Sequence, residues 1–266
     1  TLEYWKKALS SFMIQQNMPW NCVREEGNPT RSKEILDLIK KVKKAEVRKE
    51  GAPSQARRPA TMGEMRQVHA NFRENPWYFP IVKYGCPAFL NFQVHYIRRI
   101  DCTSQFTKEN FQVHDLFPDL AGNVRLNWAK NVHEERDAPW QIMLGSMDPT
   151  FCVLLSLAIW LEFFHGESPE VAAANPYVFA FKSDDFCIPE GGDKTHDFVM
   201  DLLTKLFRGQ GAGCTFIAEI IGLLGSHSFR KFSSTHVRNC GATKDEKDGR
   251  GCWLQRRVSD TYDDTL

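Results

Sequence analysis

Apolar residues recur at helical spacing in the first 58 residues. The first predicted helix carries the stripe Leu2, Trp5, Leu9 and Phe12. A break that contains Pro19 and Pro29 follows, and Ser32 then opens a second helix. The stripe of this second helix is Ile35, Leu38, Ile39 and Val42. Residues 1–58 are therefore predicted to form a helical domain, and the Thr1 start indicates one that is truncated at its N-terminus.

Residues 51–59 contain the turn formers Gly51, Pro53 and Pro59 and are predicted to be a linker. Immediately after it, Thr61 and Glu64 match the capping box that starts many helices. We therefore place a domain boundary near residue 59, with a second domain over 59–266.

The second domain combines helical stripes with one alternating segment. Residues 123–144 predict a β-hairpin, with Val124, Leu126 and Trp128 on one arm and Trp140, Ile142 and Leu144 on the other. Helices are predicted after Arg99, over 151–164, over 193–209 with Gly209 as its stop, and from Ser226 as N-cap to about Gly241. The predicted fold class is mainly α with a small antiparallel β-sheet (α+β).

The composition of the 266 residues is that of a globular protein, with 42% hydrophobic residues, 25% charged residues and a net charge of +1. The eight cysteines form no C-x-x-C pair, so we expect reduced thiols in an intracellular protein and no zinc site. The apolar run 151–164 is too short to span a membrane. No P-loop is present, and we expect neither a metal nor a small-molecule cofactor.

Positive charge is concentrated locally. Residues 31–58 hold ten Lys or Arg against four Asp or Glu, a net of +6. Such a run is either a solvated helix face or a surface that follows DNA phosphates. The candidate DNA-binding residues are Lys40, Lys41, Lys43, Lys44, Arg48, Lys49, Arg57 and Arg58, with Lys231 in the second domain.

Four further segments carry candidate chemistry, although each alone has an ordinary explanation. Arg99 follows Arg98 at a helix start, and Lys130 lies near the hairpin turn. His227 and Arg230 are three residues apart, which places an imidazole and a guanidinium on one helix face. The fourth segment holds Trp253 and, nine residues later, Tyr262. Taken separately, these are surface cations, a capping histidine, a core tryptophan and a half-exposed tyrosine.

The set and its order resemble the tyrosine recombinase (phage-integrase) family. The matching residues are Arg99, Lys130, His227, Arg230, Trp253 and Tyr262. The Gly-Arg-Gly-x-Trp setting of Trp253 is similar to that of the Crypton-type recombinases of eukaryotic mobile elements. The resemblance covers nearly the whole chain and implies a core-binding domain at 1–58 and a catalytic domain at 59–266.

The resemblance implies DNA cleavage and rejoining through a 3′-phosphotyrosyl intermediate, without a metal. Arg99 and Arg230 would clamp the phosphate oxygens, Tyr262 would be the nucleophile and His227 would accept its proton. Lys130 would protonate the leaving 5′ oxygen, and Trp253 would donate its indole N–H to the phosphate. The partners implied are double-stranded DNA and further copies of the chain in a synaptic tetramer, in the nucleus if the source is eukaryotic.

Three other interpretations remain open. A type IB topoisomerase uses a similar residue set but acts as a monomer. A non-catalytic DNA-binding protein derived from such an element would retain the fold, although it would usually lose catalytic residues. A plain helical interaction domain would make the resemblance accidental, which six matches in the right order disfavour.

Overall fold

The structure, a computed structural model, describes residues 2–50, 56–128, 132, 138–167, 169–181 and 192–253. Contacts divide the chain into two compact units, Thr1–Ala56 and Arg57–Leu266. Arg57 and Arg58, which the sequence assigned to the first domain, fall within the second unit. Residues 51–55 of the predicted linker lie outside the described residues.

The first unit contains both helices that the sequence predicts, α1 (Leu2–Ser11) and α2 (Lys33–Glu50). A 3₁₀ turn, Pro29–Arg31, precedes α2. Buried Asn28 joins these pieces, because its Nδ2 donates to Ser10 Oγ at 2.6 Å and its Oδ1 accepts from the backbone N–H of Thr30 at 3.0 Å. The predicted stripe of α2 is wrong at Leu38, which is 57% exposed, whereas Ile39 is buried.

The core of the second unit is built on α3 (Met62–Glu74), α4 (Pro80–His95) and α6 (Val153–Glu167). The predicted capping box starts α3: Thr61 Oγ1 accepts from the N–H of Glu64, and the Glu64 carboxylate accepts from the N–H of Thr61. Aromatic side chains fill the space between α4, α6 and residues 178–181. Burying each such side chain contributes about 1.5–3 kcal/mol. The aromatic residues with almost no exposure are Phe89, Phe92, Trp160, Phe164, Phe179 and Phe181.

A three-stranded antiparallel sheet contains β1 (Phe111–Val113), β2 (Ala121–Arg125) and β3 (Trp140–Leu144) in that order. The predicted hairpin is confirmed as β2 and β3, with Val124 opposite Gln141. Strand β1 was not predicted. In β3 the apolar residues that alternate, Trp140, Ile142 and Leu144, are exposed, whereas Gln141 and Met143 are buried.

Shorter helices complete the second unit: α5 (Ile100–Ser104), α7 (Pro169–Ala174), α8 (Asp193–Phe207), α9 (Ser226–Asn239) and α10 (Lys244–Gly251). Gly209 and Gly241 follow α8 and α9 with φ of +63° and +95°, as expected of helix stops. The predicted N-cap of α9 is off by one residue. Gly225 is the cap, and its N–H donates to Ser228 Oγ at 3.1 Å.

A polar stripe of α3 holds the irregular segment that leads into α9. The backbone N–H groups of Thr215, Ile217 and Glu219 donate to Asn71, Gln67 and Glu64 at 3.1, 2.9 and 2.9 Å. Every second backbone N–H of the segment is thus bonded to a side chain from a successive turn of α3. The segment is fixed to α3 by these bonds, so the start of α9 has a defined position. No helix within the described ranges is long and apolar enough to cross a membrane.

Candidate active site

Arg99 is the N-cap of α5 and has an extended backbone, with φ −81° and ψ 158°. Its carbonyl accepts from the N–H of Thr103 at 3.1 Å, and buried Ile100 anchors the first turn. The two adjacent arginines diverge. Arg98 is 2% exposed and its Nη2 lies 2.6 Å from Cys252 Sγ, whereas Arg99 is half-buried and reaches the surface.

His227 and Arg230 lie in the first turns of α9, on the same face of the helix. Their side chains and that of Arg99 line one pocket of about 460 Å³. The sequence-predicted residues Arg99, His227 and Arg230 are thus brought together, although 128 positions separate Arg99 from His227. The complete lining is Arg99, Ile100, Asp101, His196, Met200, Ser226, His227 and Arg230.

The pocket favours the neutral form of His227. Desolvation by the surrounding protein lowers the pKa of His227, and the charges of Arg99 and Arg230 lower it further. The residue nevertheless keeps solvent access. Asp101 opposes this by raising the pKa. A lowered histidine pKa leaves the imidazole unprotonated at neutral pH, so His227 can accept a proton there.

Trp253 lies against Arg230 but does not itself line the pocket. The Arg230 guanidinium lies over the indole ring, with Cζ 4.8 Å from the centroid, and Lys247 Nζ lies 5.6 Å from the same ring. All three residues are at least nine-tenths buried. The backbone N–H of Trp253 donates to the Asp248 carbonyl at 2.9 Å, just after Cys252 turns the chain with φ of +47°. This turn directs the indole against Arg230 and α9.

Lys130 and Tyr262 lie outside the described residues. The described part of the predicted catalytic set is therefore Arg99, His227, Arg230 and Trp253.

The predicted DNA-binding residues differ in their surroundings. In the first unit, all six α2 residues predicted to bind DNA are exposed: Lys40, Lys41, Lys43, Lys44, Arg48 and Lys49. Two of them have acidic neighbours, since Lys43 pairs with Glu3 at 2.5 Å and Lys40 with Asp37 at 3.5 Å.

In the second unit, Arg57 is exposed and lies against Gly225, where an added Cβ would come within 2.9 Å of its Nε. Arg57 also lowers the pKa of His227, after desolvation and the charges of Arg99 and Arg230. Lys231 is half-buried on α9, next to Arg230. Arg58 instead donates to both carboxylate oxygens of buried Glu64, at 2.7 and 2.5 Å, and its side chain is 15% exposed.

Two titratable pocket residues were not singled out as functional from the sequence. Asp101 follows Arg99 on α5, and His196 comes from the first turn of α8. Asp101 could have been suspected, because it lies two positions from Arg99. No sequence signal identifies His196, whose place depends on how α8 packs. Across the described residues, no cluster of three or more His, Cys, Asp or Glu could hold a metal ion.

No protein-family model matches the sequence, and the search of curated proteins gave no match. Solved structures do match by shape. XerA recombinase is 13% identical with a TM-score of 0.52, and the match covers 100% of this chain and 85% of that one. A lambda integrase dimer bound to a COC′ core site is 12% identical with a TM-score of 0.55, covering 80% of this chain and 50% of that one.

XerH site-specific recombinase, in a post-cleavage complex with a palindromic difH substrate, is 9% identical with a TM-score of 0.50. That match covers 77% of this chain and 49% of the XerH chain. The chain therefore spans about half the length of the XerH and lambda integrase chains that it matches. At these identities the likeness concerns the fold, and the chain has the predominantly helical fold with a small antiparallel sheet that these recombinases share.

Proposed function

We propose that this chain cuts and rejoins DNA through a covalent phosphotyrosine intermediate, with Tyr262 as the nucleophile. The observation that carries the proposal is the pocket in which Arg99, His227 and Arg230 converge from two helices. The likeness in fold to XerA, XerH and lambda integrase supports it, since the XerH and lambda integrase structures are complexes with DNA.

The two arginines suit a phosphodiester. Attack on phosphorus increases the negative charge on the non-bridging oxygens, and guanidinium groups can bind such oxygens through two hydrogen bonds each. Arg230 is held in a fixed orientation by Trp253 beneath it and by the Gly251 carbonyl, 3.5 Å from its Nη2. A preoriented donor needs little reorganisation when charge develops in the transition state.

The proposed reaction moves two protons. Tyr262 Oη forms a bond to phosphorus while the bond from phosphorus to the 5′ oxygen breaks, and the phosphate remains on the 3′ side as a phosphotyrosyl ester. The tyrosine proton passes to His227, whose lowered pKa keeps it unprotonated at neutral pH. Lys130 supplies the proton that the leaving 5′ oxygen takes up. Religation reverses each step, and no metal takes part.

The finer assignments are also proposals. Residues 1–58 act as a core-binding domain and 59–266 as the catalytic domain of a Crypton-type recombinase of a mobile element. The chain assembles on double-stranded DNA as a tetramer, in the nucleus if the source is eukaryotic. The exposed α2 cations, Arg57 and Lys231 contact DNA phosphates. Arg58 is left out of this surface because its guanidinium is already bound to Glu64.

Covalent trapping tests the proposal. The chain is incubated with a pool of nicked duplexes of randomised sequence, in which cleavage releases a short fragment that prevents religation. Protein–DNA adducts are then separated on a denaturing gel for the wild type, for Tyr262→Phe and for the control Tyr4→Phe, which alters a 69%-exposed tyrosine of α1. We expect an adduct in the wild type and the control and none in Tyr262→Phe.

The other outcomes distinguish among the alternative functions. An adduct that persists in Tyr262→Phe contradicts the choice of nucleophile. Duplex binding without any adduct contradicts the enzyme and favours a DNA-binding protein. Where an adduct forms, the mass of the DNA-bound assembly separates a tetrameric recombinase from a monomeric topoisomerase-like enzyme.

A further inference from the structure

The pocket contains a second imidazole, His196, for which the proposed reaction has no role. His196 and Met200 are one turn apart on α8, so both side chains face the pocket. Across the pocket lie Arg99 and Asp101 from α5 and His227 and Arg230 from α9. Two histidines and two arginines from three helices thus surround one space.

The position of His196 is built into the fold. The N–H of Gly192 donates to the Ser104 carbonyl at 3.1 Å, and Gln105 Nε2 donates to Asp193 at 3.2 Å, which joins the start of α8 to the end of α5. Gly192 has φ of +69°, and an added Cβ would meet the Gln105 side chain at 2.9 Å. The positive φ favours glycine at this position. Helix α5 begins beside Arg99, so the same contacts fix His196 relative to Arg99.

The orientation of the imidazole is also defined. His196 Nδ1 lies 3.0 Å from Asp197 Oδ1, and Asp197 is mostly exposed. A carboxylate on one ring nitrogen holds the proton there and leaves the other nitrogen for a ligand. With a proton on both nitrogens, as in the imidazolium, Nε2 donates a hydrogen bond to an anion.

We propose that His196 is a further phosphate ligand of the pocket and that its Nε2–H donates to a non-bridging oxygen of the phosphodiester held by Arg99 and Arg230. Arg99 and Arg230 bring two positive charges and Asp101 one negative charge, so the pocket already favours an anion. A protonated His196 adds a third positive charge, paired with Asp197 outside the pocket. The inference rests on the proposed function, because that function makes a DNA phosphodiester the anion.

Inorganic phosphate and histidine NMR test the pocket without any DNA chemistry. The full chain, with ¹⁵N-labelled histidine, is titrated with inorganic phosphate at pH 6.0. Ring signals are assigned with His196→Gln, His227→Gln and His165→Gln, the last an exposed histidine of α6 outside the pocket. We expect His196 and His227 to shift at one common phosphate concentration and His165 to stay unchanged.

The variants give the size of the effect. His196→Gln should weaken phosphate binding about tenfold, as expected for the loss of one hydrogen bond to a charged acceptor, and His196→Lys should restore most of it because it returns a cation. Equal thermal stability of both variants and the wild type shows that the fold is kept. A His227 shift without a His196 shift overturns this inference alone. No shift in either overturns it and removes the observation behind the proposed function, which the Tyr262 adduct tests separately.

Discussion

The guanidinium of Arg230 rests on the indole ring of Trp253, with Cζ 4.8 Å from the ring centroid. A cation over an aromatic face contributes about 0.5–2 kcal/mol, with the larger values where water is excluded. Arg230 is 5% exposed and Trp253 6% exposed, so water is largely excluded from this contact. Trp253 therefore supports an arginine of the site, and the resemblance to the recombinases also assigns its indole N–H to the phosphate.

Substitutions at Trp253 should separate these two contributions. Trp253→Phe keeps a ring under Arg230 but loses the N–H, so we expect about a tenfold slower adduct formation with a small loss of stability. Trp253→Ala loses both and leaves a cavity, so adduct formation should be slower still and the free energy of unfolding should fall by about 3–5 kcal/mol. Adduct rates and urea unfolding measure the two effects, with the exposed Trp77→Ala as the control. Equal adduct rates for wild type and Trp253→Ala would show that Arg230 does not need the ring.

Arg57 and Arg58 are neighbours in sequence with different expected roles. Arg58→Ala leaves the carboxylate of Glu64, which is 1% exposed, without its guanidinium partner. Breaking a buried ion pair in this way costs about 3–5 kcal/mol. Arg57→Ala removes an exposed cation and should change the free energy of unfolding by less than about 0.5 kcal/mol while weakening DNA binding. Urea unfolding and duplex binding at two salt concentrations check both variants. The reverse pattern, a stable Arg58→Ala with weakened DNA binding, would return Arg58 to the DNA surface.

Local sequence signals predicted much of the fold. The Thr61 and Glu64 capping box depends only on residues three apart, and the spacing of His227 and Arg230 places them on one face of any helix. Gly209 and Gly241 end helices because glycine adopts positive φ at little cost. Such signals need no knowledge of the tertiary structure.

The errors occur where tertiary contacts decide. Gln141 occupies the inward face of β3 because its amide donates to the Gly249 carbonyl at 3.3 Å, a bond that α10 provides. The alternating apolar residues of that strand, including Ile142, face outward instead. His196 joins the pocket because α8 is attached to α5. The hydrogen bond that attaches them joins Gln105 and Asp193, which are 88 positions apart in the sequence. Neither packing relationship has a local sequence signal.

Buried His69 should make the fold sensitive to acid. Among the described residues neither of its ring nitrogens has a hydrogen-bond partner, and desolvation, followed by the charge of Arg73, lowers its pKa to about 3. The unfolded chain binds a proton near pH 6.5 but the folded chain does not, so stability is lost as pH falls from about 6.5 toward 3. At pH 5 this amounts to about 2 kcal/mol relative to neutral pH. His95, with a pKa of about 3, adds a similar loss.

His69→Phe should remove about half of this acid sensitivity. Phenylalanine cannot take up a proton, and it keeps the edge-to-face contact with Phe151, whose ring centroid is 5.4 Å away. At pH 7 we expect a change of less than about 1.5 kcal/mol, because no hydrogen bond is lost. Urea unfolding at pH 7 and at pH 5 gives the loss in the free energy of unfolding between the two pH values, with His165→Gln as the exposed control. An undiminished loss of stability at pH 5 in His69→Phe would mean that other groups cause it.

The balance between Asp101 and the two arginines should set the pH dependence of the site. Desolvation and the charges of Arg99 and Arg230 lower the pKa of His227, while Asp101 raises it. The ordinary pKa of histidine is about 6.5. The proton-accepting form of His227 should therefore persist at pH values below about 6.5. Asp101→Asn removes the opposing charge and should shift the midpoint to a still lower pH, whereas the exposed Asp119→Asn should not.

Two measurements detect this shift in the protonation midpoint of His227. The His227 ring signal is titrated by NMR from pH 5 to 8, and single-turnover adduct formation is measured over the same range. If His227 accepts the tyrosine proton, both midpoints should lie below about 6.5 and both should move down in Asp101→Asn. A ring midpoint that moves while the acid limb of adduct formation stays in place would assign the proton to another acceptor. An upward shift in Asp101→Asn would mean that its carboxylate does not act on His227 as a negative charge.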